Sequence, residues 1–187
     1  MTNDRFSARA WKFGDNIDTE LMLPGPYLWR SPEERARVVF QANRPGWVDQ
    51  VRDGDAIVAG TNFGIGSSRP AALSLKMCGI RFVLAESING LFLRTAVNFG
   101  LLAFECTGAS SLVSRDGEEV ILDIGAWTAS NPATGVQVPV RPLNPLPMSI
   151  MRAGGVIRVL EDRGLIATAA ESANSSDAQA PAGTGDA

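Results

Sequence analysis

Residues 55–77 read DAIVAGTNFGIGSSRPAALSLKM, and this stretch is the most informative about the fold. Its first five residues form an apolar run of strand length, and residues 70–77 are mostly good helix formers. Glycines and serines fill the loop between them, at 60–69. A strand, a loop and a helix in succession are the repeating unit of α/β folds. We therefore expect an α/β domain whose loops gather at the carboxyl ends of parallel strands.

The same alternation continues on both sides of this unit. Strands are expected at Arg9–Phe13, Arg81–Ala85, Leu101–Phe104, Val113–Ile124 and Gly135–Val140, and helices at Pro32–Gln41, Ile88–Asn98 and Pro147–Arg163. The rest of 21–54 reads as a long irregular loop. Ser67 or Ser68 is expected to cap the helix that begins at Pro70, where a missing N–H does no harm.

The chain is expected to form one domain over residues 1–168, followed by a disordered tail at 169–187. Residues 171–187 contain no Val, Ile, Leu, Met or aromatic side chain, so burial cannot repay the entropy of ordering them. No internal repeat and no linker divides the part before the tail.

The charge balance argues against two classes of partner. The chain has 17 Lys and Arg residues against 20 Asp and Glu, a net charge of -3. Nucleic acids and anionic membranes attract clustered positive charge, so neither partner is expected. No apolar run approaches the roughly 20 residues that span a bilayer, and no signal peptide is recognisable. We expect a cytoplasmic protein.

The absence of histidine narrows the possible chemistry further. It excludes serine and cysteine nucleophiles that rely on an imidazole base, and metal sites built on imidazole. Cys78 and Cys106 are too few and too far apart in sequence to hold zinc or an iron–sulfur cluster unaided. Their apolar surroundings favour buried structural thiols over a redox pair.

The loop 60–69, GTNFGIGSSR, is the candidate functional motif. Its glycine N–H groups, its two hydroxyls and Arg69 surround one small volume that would attract an anion. The segment lacks the GxxxxGK[ST] pattern of a phosphate loop and the third glycine of a dinucleotide fingerprint. Recognition of a small carboxylic acid remains, although the same residues also describe an ordinary tight turn with a capping serine.

The sequence resembles the small subunit of 3-isopropylmalate dehydratase and the matching swivelling domain of aconitases. The resemblance covers most of the predicted ordered chain, in the expected order and spacing. It rests on WKFGDNIDTE at 11–20, LPGPYL at 23–28, GTNFGIGSSRPAAL at 60–73, IRFVLAESINGLFLRTAVNFGLL at 80–102 and AGGVI at 153–157.

This resemblance implies a swivelling β/β/α domain that closes over a separate, larger subunit carrying a [4Fe-4S] cluster. The pair would act as a hydro-lyase that moves a hydroxyl between neighbouring carbons of a small 2-hydroxy carboxylic acid. By the same resemblance no cofactor is bound by this chain. Ser67 is implied to be the base that removes the carbon-bound proton, and Arg69 the clamp for a substrate carboxylate. Ser68, Asn62, Gly64 and Gly66 would complete the binding shell.

Two further segments are implied to approach the substrate. Thr19 and Glu20 would be secondary catalytic or positioning residues, and Glu20 stands where the family usually has Asp. Asp15 and Asn16 of the same segment fit an Asx-rich turn better. Trp29 could pack an apolar substrate substituent, whereas Arg30 could pair with a third carboxylate. Either residue could instead belong to a subunit interface.

A departure from the family pattern follows the candidate motif. The family commonly has Glu-His-Ala after the arginine, where this chain has Pro70, Ala71 and Ala72. The resemblance favours 3-isopropylmalate dehydratase, which acts in leucine biosynthesis, as one partner in a heterodimer or a heterotetramer. The departures leave open the same chemistry on homoaconitate, citraconate or methylmalate, or a dimethylmalate. They also leave open a non-catalytic regulatory or assembly subunit.

Overall fold

A mixed seven-stranded sheet is the centre of the computed structural model, which describes residues 4–168. The strands lie in the order β4–β3–β2–β1–β5–β6–β7 across the sheet. Their bounds are β1 Arg5–Lys12, β2 Asp55–Ala59, β3 Ile80–Ala85, β4 Leu102–Glu105, β5 Glu119–Asp123, β6 Thr128–Ser130 and β7 Gln137–Pro139. The first four strands pair in parallel, and β5, β6 and β7 continue from β1 in antiparallel pairing.

Within residues 4–168, six short helices connect or cover these strands. They are α1 Thr19–Met22, α2 Pro32–Ala36, α3 Ala71–Met77, α4 Gly90–Phe99, α5 Pro145–Arg152 and α6 Val156–Asp162. Single turns of 3₁₀ helix occur at Gly25–Tyr27, Val48–Gln50 and Ala109–Ser111. Among the helices of residues 4–168, none combines the length and the apolar character needed to cross a membrane.

Strand β2 is buried on both faces, which explains its continuous apolar sequence. Ile57 and Ala59 face a core shared with α3 and α4, where Leu75 and Phe92 also lie. The alternate residues of β2 face a second core, formed with the antiparallel strands and with Ala109–Ser111. The central strand therefore joins the two apolar layers, and the loop that follows it emerges at the edge between them.

Three loops meet at the carboxyl edge of the parallel strands. Parallel bridges join Asp18 to Ile65 and Phe63 to Ile88, so the segments that follow β1, β2 and β3 lie side by side. This edge is where the sequence predicts the candidate site.

In the predicted parallel half, β2 lies at the predicted residues and α3 begins one residue late, but β1 begins at Arg5, four residues before the predicted start at Arg9. The prediction that Ser67 or Ser68 caps α3 is wrong. The residue before the helix is Pro70, and no side chain caps it. The serines lie too early because the loop remains bonded to α1, through Thr19 and the carbonyl of Ser67, before the helix begins.

The single closing helix predicted for Pro147–Arg163 is in fact two helices, α5 and α6. The break falls at Gly154 and Gly155, whose φ angles are +92° and +121°. A Cβ on Gly155 would lie 2.5 Å from the carbonyl oxygen of Asn98, and one on Gly100 would lie 2.1 Å from the carbonyl carbon of Gly154. Backbone packs directly against backbone here, which only glycine permits.

Other predicted elements were too long. The strand at Val113–Ile124 shrinks to β5, the strand at Gly135–Val140 shrinks to β7, and the helix at Pro32–Gln41 ends at Ala36. Strand β6 and helix α1 were not predicted, since both are too short to show a period. The predicted tail at 169–187 lies outside the described residues.

Candidate active site

Two glycines, each packed closely against other parts of the protein, determine the path of the loop 60–69. Gly64 and Gly66 have φ angles of +78° and +102°, which favour glycine. A Cβ on Gly64 would lie 2.3 Å from Phe92, and one on Gly66 would lie 2.5 Å from Oδ1 of Asp18. The N–H of Gly64 donates to a backbone carbonyl of the segment after β1 at 2.7 Å. Both predicted binding glycines therefore have a structural task.

Thr19 holds the backbone of the loop 60–69 through two hydrogen bonds. Its side chain is buried, and its Oγ1 donates a hydrogen bond to the carbonyl oxygen of Ser67 at 3.0 Å. Its backbone N–H donates to the carbonyl oxygen of Ile65 at 2.8 Å. Asp18, immediately before Thr19, caps α1 by accepting the N–H of Glu20 at 2.7 Å. Thr19 thus holds the backbone of Ser67 at a defined place beside the first residue of α1.

Ser67 and Arg69 are in direct contact at the surface of the loop. The Nε–H of Arg69 donates to Oγ of Ser67 at 2.9 Å. Because the guanidinium is always charged, this contact stabilises negative charge on the serine oxygen relative to the neutral hydroxyl. Ser67 and Ser68 are both exposed, and the side chain of Ser68 has no hydrogen-bond partner within residues 4–168.

Arg69 has a well-defined position, with its side chain only 13% exposed. Its Nη1 donates to the carbonyl oxygen of Leu23 at 3.1 Å, and its Nη2 forms an ion pair with Oε2 of Glu20. Together with the contact to Ser67, these bonds occupy three of the five guanidinium N–H groups. The two remaining N–H groups have no hydrogen-bond partner within residues 4–168.

Glu20 contacts Arg69 rather than Ser67. Its Oε1 accepts the backbone N–H of Gly25 at 3.0 Å, while Oε2 faces the guanidinium. The carboxylate therefore joins α1, the loop 60–69 and the start of the segment 24–30. The side chain is 55% exposed.

Two tripeptides, GDN at 14–16 and GTN at 60–62, pair with each other beside the loop. Asn16 and Asn62 both adopt the left-handed conformation, with φ of +56° and +58°. Nδ2 of Asn62 donates to Oδ1 of Asn16 at 2.9 Å, and Oδ1 of Asp15 accepts the N–H of Thr61 at 2.7 Å. Asn62 is exposed, but its amide N–H is directed at Asn16 and not at Ser67.

The structure places Trp29 and Arg30 on the far part of the segment 24–30. Trp29 is 94% exposed, and Nη1 of Arg30 lies 4.0 Å from Oε1 of Glu34. Within residues 4–168 neither side chain contacts Ser67 or Arg69. The structure thus brings Ser67, Arg69, Thr19 and Glu20 together and leaves Trp29 and Arg30 at the periphery.

Sequence reasoning missed several groups that hold the site. The carbonyl of Leu23 and the N–H of Gly25 anchor the charged pair, and Ser87 accepts the backbone N–H of Asn62 at 2.9 Å. The backbone groups leave no trace in the sequence. The repeated G-x-N pattern was a usable signal for the pairing of the two loops. Apart from glycine, Asn is among the residues that most readily adopt a positive φ.

The two cysteines lie away from the site. Burial raises the pKa of both Cys78 and Cys106 to about 12, so both are neutral thiols near pH 7. Cys106 is fully buried, as predicted, and Cys78 is only partly buried. Residues 4–168 contain no group of three or more Cys, Asp or Glu side chains arranged to hold a metal ion.

The candidate site is an open surface. Asn62, Gly66, Ser67 and Ser68 are all exposed, so water reaches the reacting groups freely. A cleft of about 510 Å³ does occur elsewhere, at the amino ends of β3 and β4, where Ile80 and Leu102 line it. That cleft is at the opposite edge of the parallel strands from Ser67.

Comparison with known proteins places this geometry in a family. Residues 35–108 match the aconitase C-terminal domain. The chain is 42% identical over 151 residues to 3-isopropylmalate dehydratase small subunit 1 of Archaeoglobus fulgidus, covering 80% of this chain and 92% of that one. It is 40% identical to the methanogen homoaconitase small subunit of Methanothermobacter thermautotrophicus, covering 80% and 86% of the two chains.

Two relatives from Methanocaldococcus jannaschii agree with this placement. The isopropylmalate/citramalate isomerase small subunit is 41% identical, over 83% of this chain and 93% of that one. The crystal structure of a 3-isopropylmalate dehydratase superimposes with a TM-score of 0.79 at 34% identity, covering 86% of this chain and 96% of that chain. The expected swivelling β/β/α fold is confirmed. This chain belongs to the 3-isopropylmalate dehydratase small-subunit family, and it is the small subunit of a hydro-lyase.

Proposed function

We propose that this chain supplies the proton-transfer half of a 3-isopropylmalate dehydratase, with Ser67 as the base. The observation that carries the proposal is the 2.9 Å contact between Nε of Arg69 and Oγ of Ser67. A serine hydroxyl is far too weak an acid to lose its proton near neutral pH unless positive charge is fixed beside it. Arg69 provides that charge within hydrogen-bond distance.

The remaining contacts give each residue a role. Thr19 holds the carbonyl of Ser67, so the hydroxyl points from a fixed backbone. Arg69 binds a substrate carboxylate and brings the neighbouring C–H bond to Ser67. Ser68, Asn62, Gly64 and Gly66 complete the wall of the binding shell. Of these four residues, Ser68 has an exposed hydroxyl that a dicarboxylate could reach from the open side, whereas the N–H of Gly64 and the amide of Asn62 already donate to other residues.

The open site supports the proposal that a larger subunit closes over it. Electrostatic stabilisation by Arg69 is strong only after water is excluded, and residues 4–168 do not enclose Ser67 by themselves. The proposed partner is the large aconitase-like subunit, in a heterodimer, and it would hold the [4Fe-4S] cluster. When bound, the cluster supplies a Lewis acid for the departing hydroxyl. This chain would bind no cofactor of its own.

The periphery of the site favours an apolar substrate substituent. Relatives with three different substrates in their names are 40% to 42% identical to this chain, so identity does not discriminate between them. Arg30 already faces Glu34, whereas the ring of Trp29 is free to cover an isopropyl group. We further propose that the reaction belongs to leucine biosynthesis in the cytoplasm, and that residues 1–168 act as a single domain.

The decisive experiment is co-expression of the Ser67→Ala variant with the proposed large subunit. The variant pair should assemble normally and lose nearly all turnover of 3-isopropylmalate. A variant with near-normal rates would remove Ser67 from the mechanism. Comparing 3-isopropylmalate with homoaconitate, citramalate and dimethylmalate on the parent pair tests the substrate, and activity of the large subunit alone would favour the non-catalytic alternative.

A further inference from the structure

The segment 24–30 is attached to the candidate site by one charged residue. Its own hydrogen bonds are local, such as Tyr27 N–H to Pro24 at 3.0 Å and Leu28 N–H to Gly25 at 3.1 Å. The polar connection to the loop 60–69 runs through Glu20, which accepts the N–H of Gly25. The segment is therefore a self-contained turn whose start is tied to the site.

The other end of this connection is Arg69. Oε2 of Glu20 pairs with Nη2 of Arg69, and Nη1 of the same guanidinium donates to the carbonyl oxygen of Leu23. Two groups of Arg69 thus hold two neighbouring points of the chain, at 23 and 25, immediately before the turn that carries Trp29. Trp29 follows the second of these points by four residues.

A substrate carboxylate and the Glu20 carboxylate are chemically alike, and both are ligands for the same guanidinium. Glu20 is 55% exposed, so its ion pair with Arg69 is screened by water and can be exchanged for another carboxylate. The longer side chain of Glu also lets one carboxylate reach both Gly25 and Arg69. Occupation of Arg69 by a ligand would release the oxygen of Glu20 that now pairs with it.

We propose that Glu20 is a positioning residue that latches the segment 24–30 to Arg69, and that a dicarboxylate bound at Arg69 opens this latch and moves Trp29. The inference rests on the proposed role of Arg69 as a carboxylate clamp. The inference adds a coupling between two parts of the site. Binding of a substrate carboxylate at Arg69 would set the position of Trp29, the side chain proposed to cover the variable substituent of the substrate. Glu20 acts through Arg69 and Gly25 and takes no proton from the substrate.

The test uses the full chain with 5-fluorotryptophan, which gives one ¹⁹F resonance for each of the four tryptophans. The Trp29 resonance is assigned with Trp29→Phe, and malonate serves as a simple dicarboxylate. We expect malonate to shift the Trp29 resonance in a saturable manner, and the Arg69→Gln variant to lose this response. Without malonate, the Glu20→Gln variant should place the Trp29 resonance near the malonate-saturated position of the parent.

Glu34→Gln is the matched control, because it removes a carboxylate that faces Arg30 on the same segment. It should retain both the parent resonance and the malonate response. Glu20→Asp keeps the charge with a shorter reach and should give an intermediate position. Unchanged signals from the other three tryptophans verify that each variant is folded.

The latch would be overturned by a Glu20→Gln variant whose Trp29 resonance and malonate response equal those of the parent. Binding of malonate at Arg69 is monitored through the Nε–H signal of Arg69. The proposal would also be overturned if the Trp29 resonance did not move when malonate saturates Arg69. Failure of malonate to bind at Arg69 would contradict the competition on which it depends. None of these readouts uses turnover, so they are separate from the Ser67→Ala assay that tests the proposed function.

Discussion

Oγ1 of Thr19 donates a hydrogen bond to the carbonyl oxygen of Ser67 at 3.0 Å, across 48 positions of sequence. Thr19 is buried and Ser67 is exposed, so the bond passes from the protein interior to the reactive surface. Thr19 bonds the backbone of Ser67 and not its side chain, which leaves the hydroxyl of Ser67 to accept from Arg69. Four predictions follow from contacts of this kind.

Thr19→Val should remove the support with little change in side-chain shape. We expect a loss of about 1–2 kcal/mol in the free energy of unfolding, since a carbonyl near the interior loses its donor. The reconstituted enzyme should lose kcat as well, because Ser67 is no longer held. Thr95→Val is the control: Thr95 also donates to a backbone carbonyl, that of Phe92 at 2.8 Å, but lies on α4. The Thr95→Val variant should lower the free energy of unfolding and leave kcat unchanged. Equal kcat values for the Thr19→Val and Thr95→Val variants would contradict this role of Thr19.

Arg69→Lys should retain a positive charge but lose the Nε contact to Ser67. We expect kcat to fall by roughly 100-fold or more, the usual effect of removing one preorganised donor from a transition-state site. Arg44→Lys, in an exposed ion pair with Asp116, is the matched control and should leave kcat unaltered. Steady-state kinetics of the reconstituted pair would measure both. A Lys variant with parental kcat would show that a simple point charge is sufficient.

Gly66→Ala should damage the site through crowding as well as backbone strain. The new methyl group would approach Asp18 and Thr19 to within 3 Å, whereas at Gly117, with a φ of +91°, it would meet no atom within 4 Å. Gly117→Ala therefore measures the strain alone, about 1–2 kcal/mol for a residue forced into this region. Denaturant unfolding should show a larger loss for Gly66→Ala. Equal losses would mean that the contacts with α1 relax freely.

Asp55 should make the protein sensitive to acid. Burial favours its neutral form, but hydrogen bonds from Arg9, Trp11 and the N–H of Arg52 outweigh burial and hold the pKa of this carboxyl below its usual value. A depressed pKa in the folded state stabilises the protein above the unfolded pKa of about 3.9, and this stability is lost as the pH falls through the folded value.

The Asp55→Asn variant should therefore be less stable at pH 7 and lose less stability than the parent between pH 7 and pH 3. Urea unfolding at the two pH values would measure both quantities. Asp49→Asn, on an exposed 3₁₀ turn, is the control and should lose as much stability over this range as the parent does. An Asp55→Asn variant that loses the same amount as the parent would contradict the assignment.

The parallel half of the fold was predictable because its signals are local. β2 is buried on both faces, so its last four residues form an apolar run, and glycines mark the loop after it. The closing helix was predicted wrongly because the close approach of Gly154 to Gly100 is a contact between distant segments. Periodicity alone could not show which of the glycines would break the helix.

The residues of the candidate site were predictable, but the hydrogen bonds and the ion pair that connect them were not. The resemblance named Ser67, Arg69, Thr19 and Glu20, and the structure brings these four side chains together. Apart from the contact of Arg69 with Ser67, two positions away, the bonds between them join residues 48 and 49 positions apart: the support of Ser67 by Thr19 and the pairing of Arg69 with Glu20. Contacts at such separations have no periodic or compositional trace, and their partners include backbone groups that any residue carries.

The exposure of the loop 60–69 also bears on how a cell would have to make this protein. Under the proposed division of labour, a surplus of either polypeptide contributes no turnover, since a solvated serine and guanidinium by themselves leave metabolites untouched. Flux would follow whichever chain is scarcer. Balanced synthesis of the two products, for example from adjacent reading frames, would then matter more than abundant expression of one.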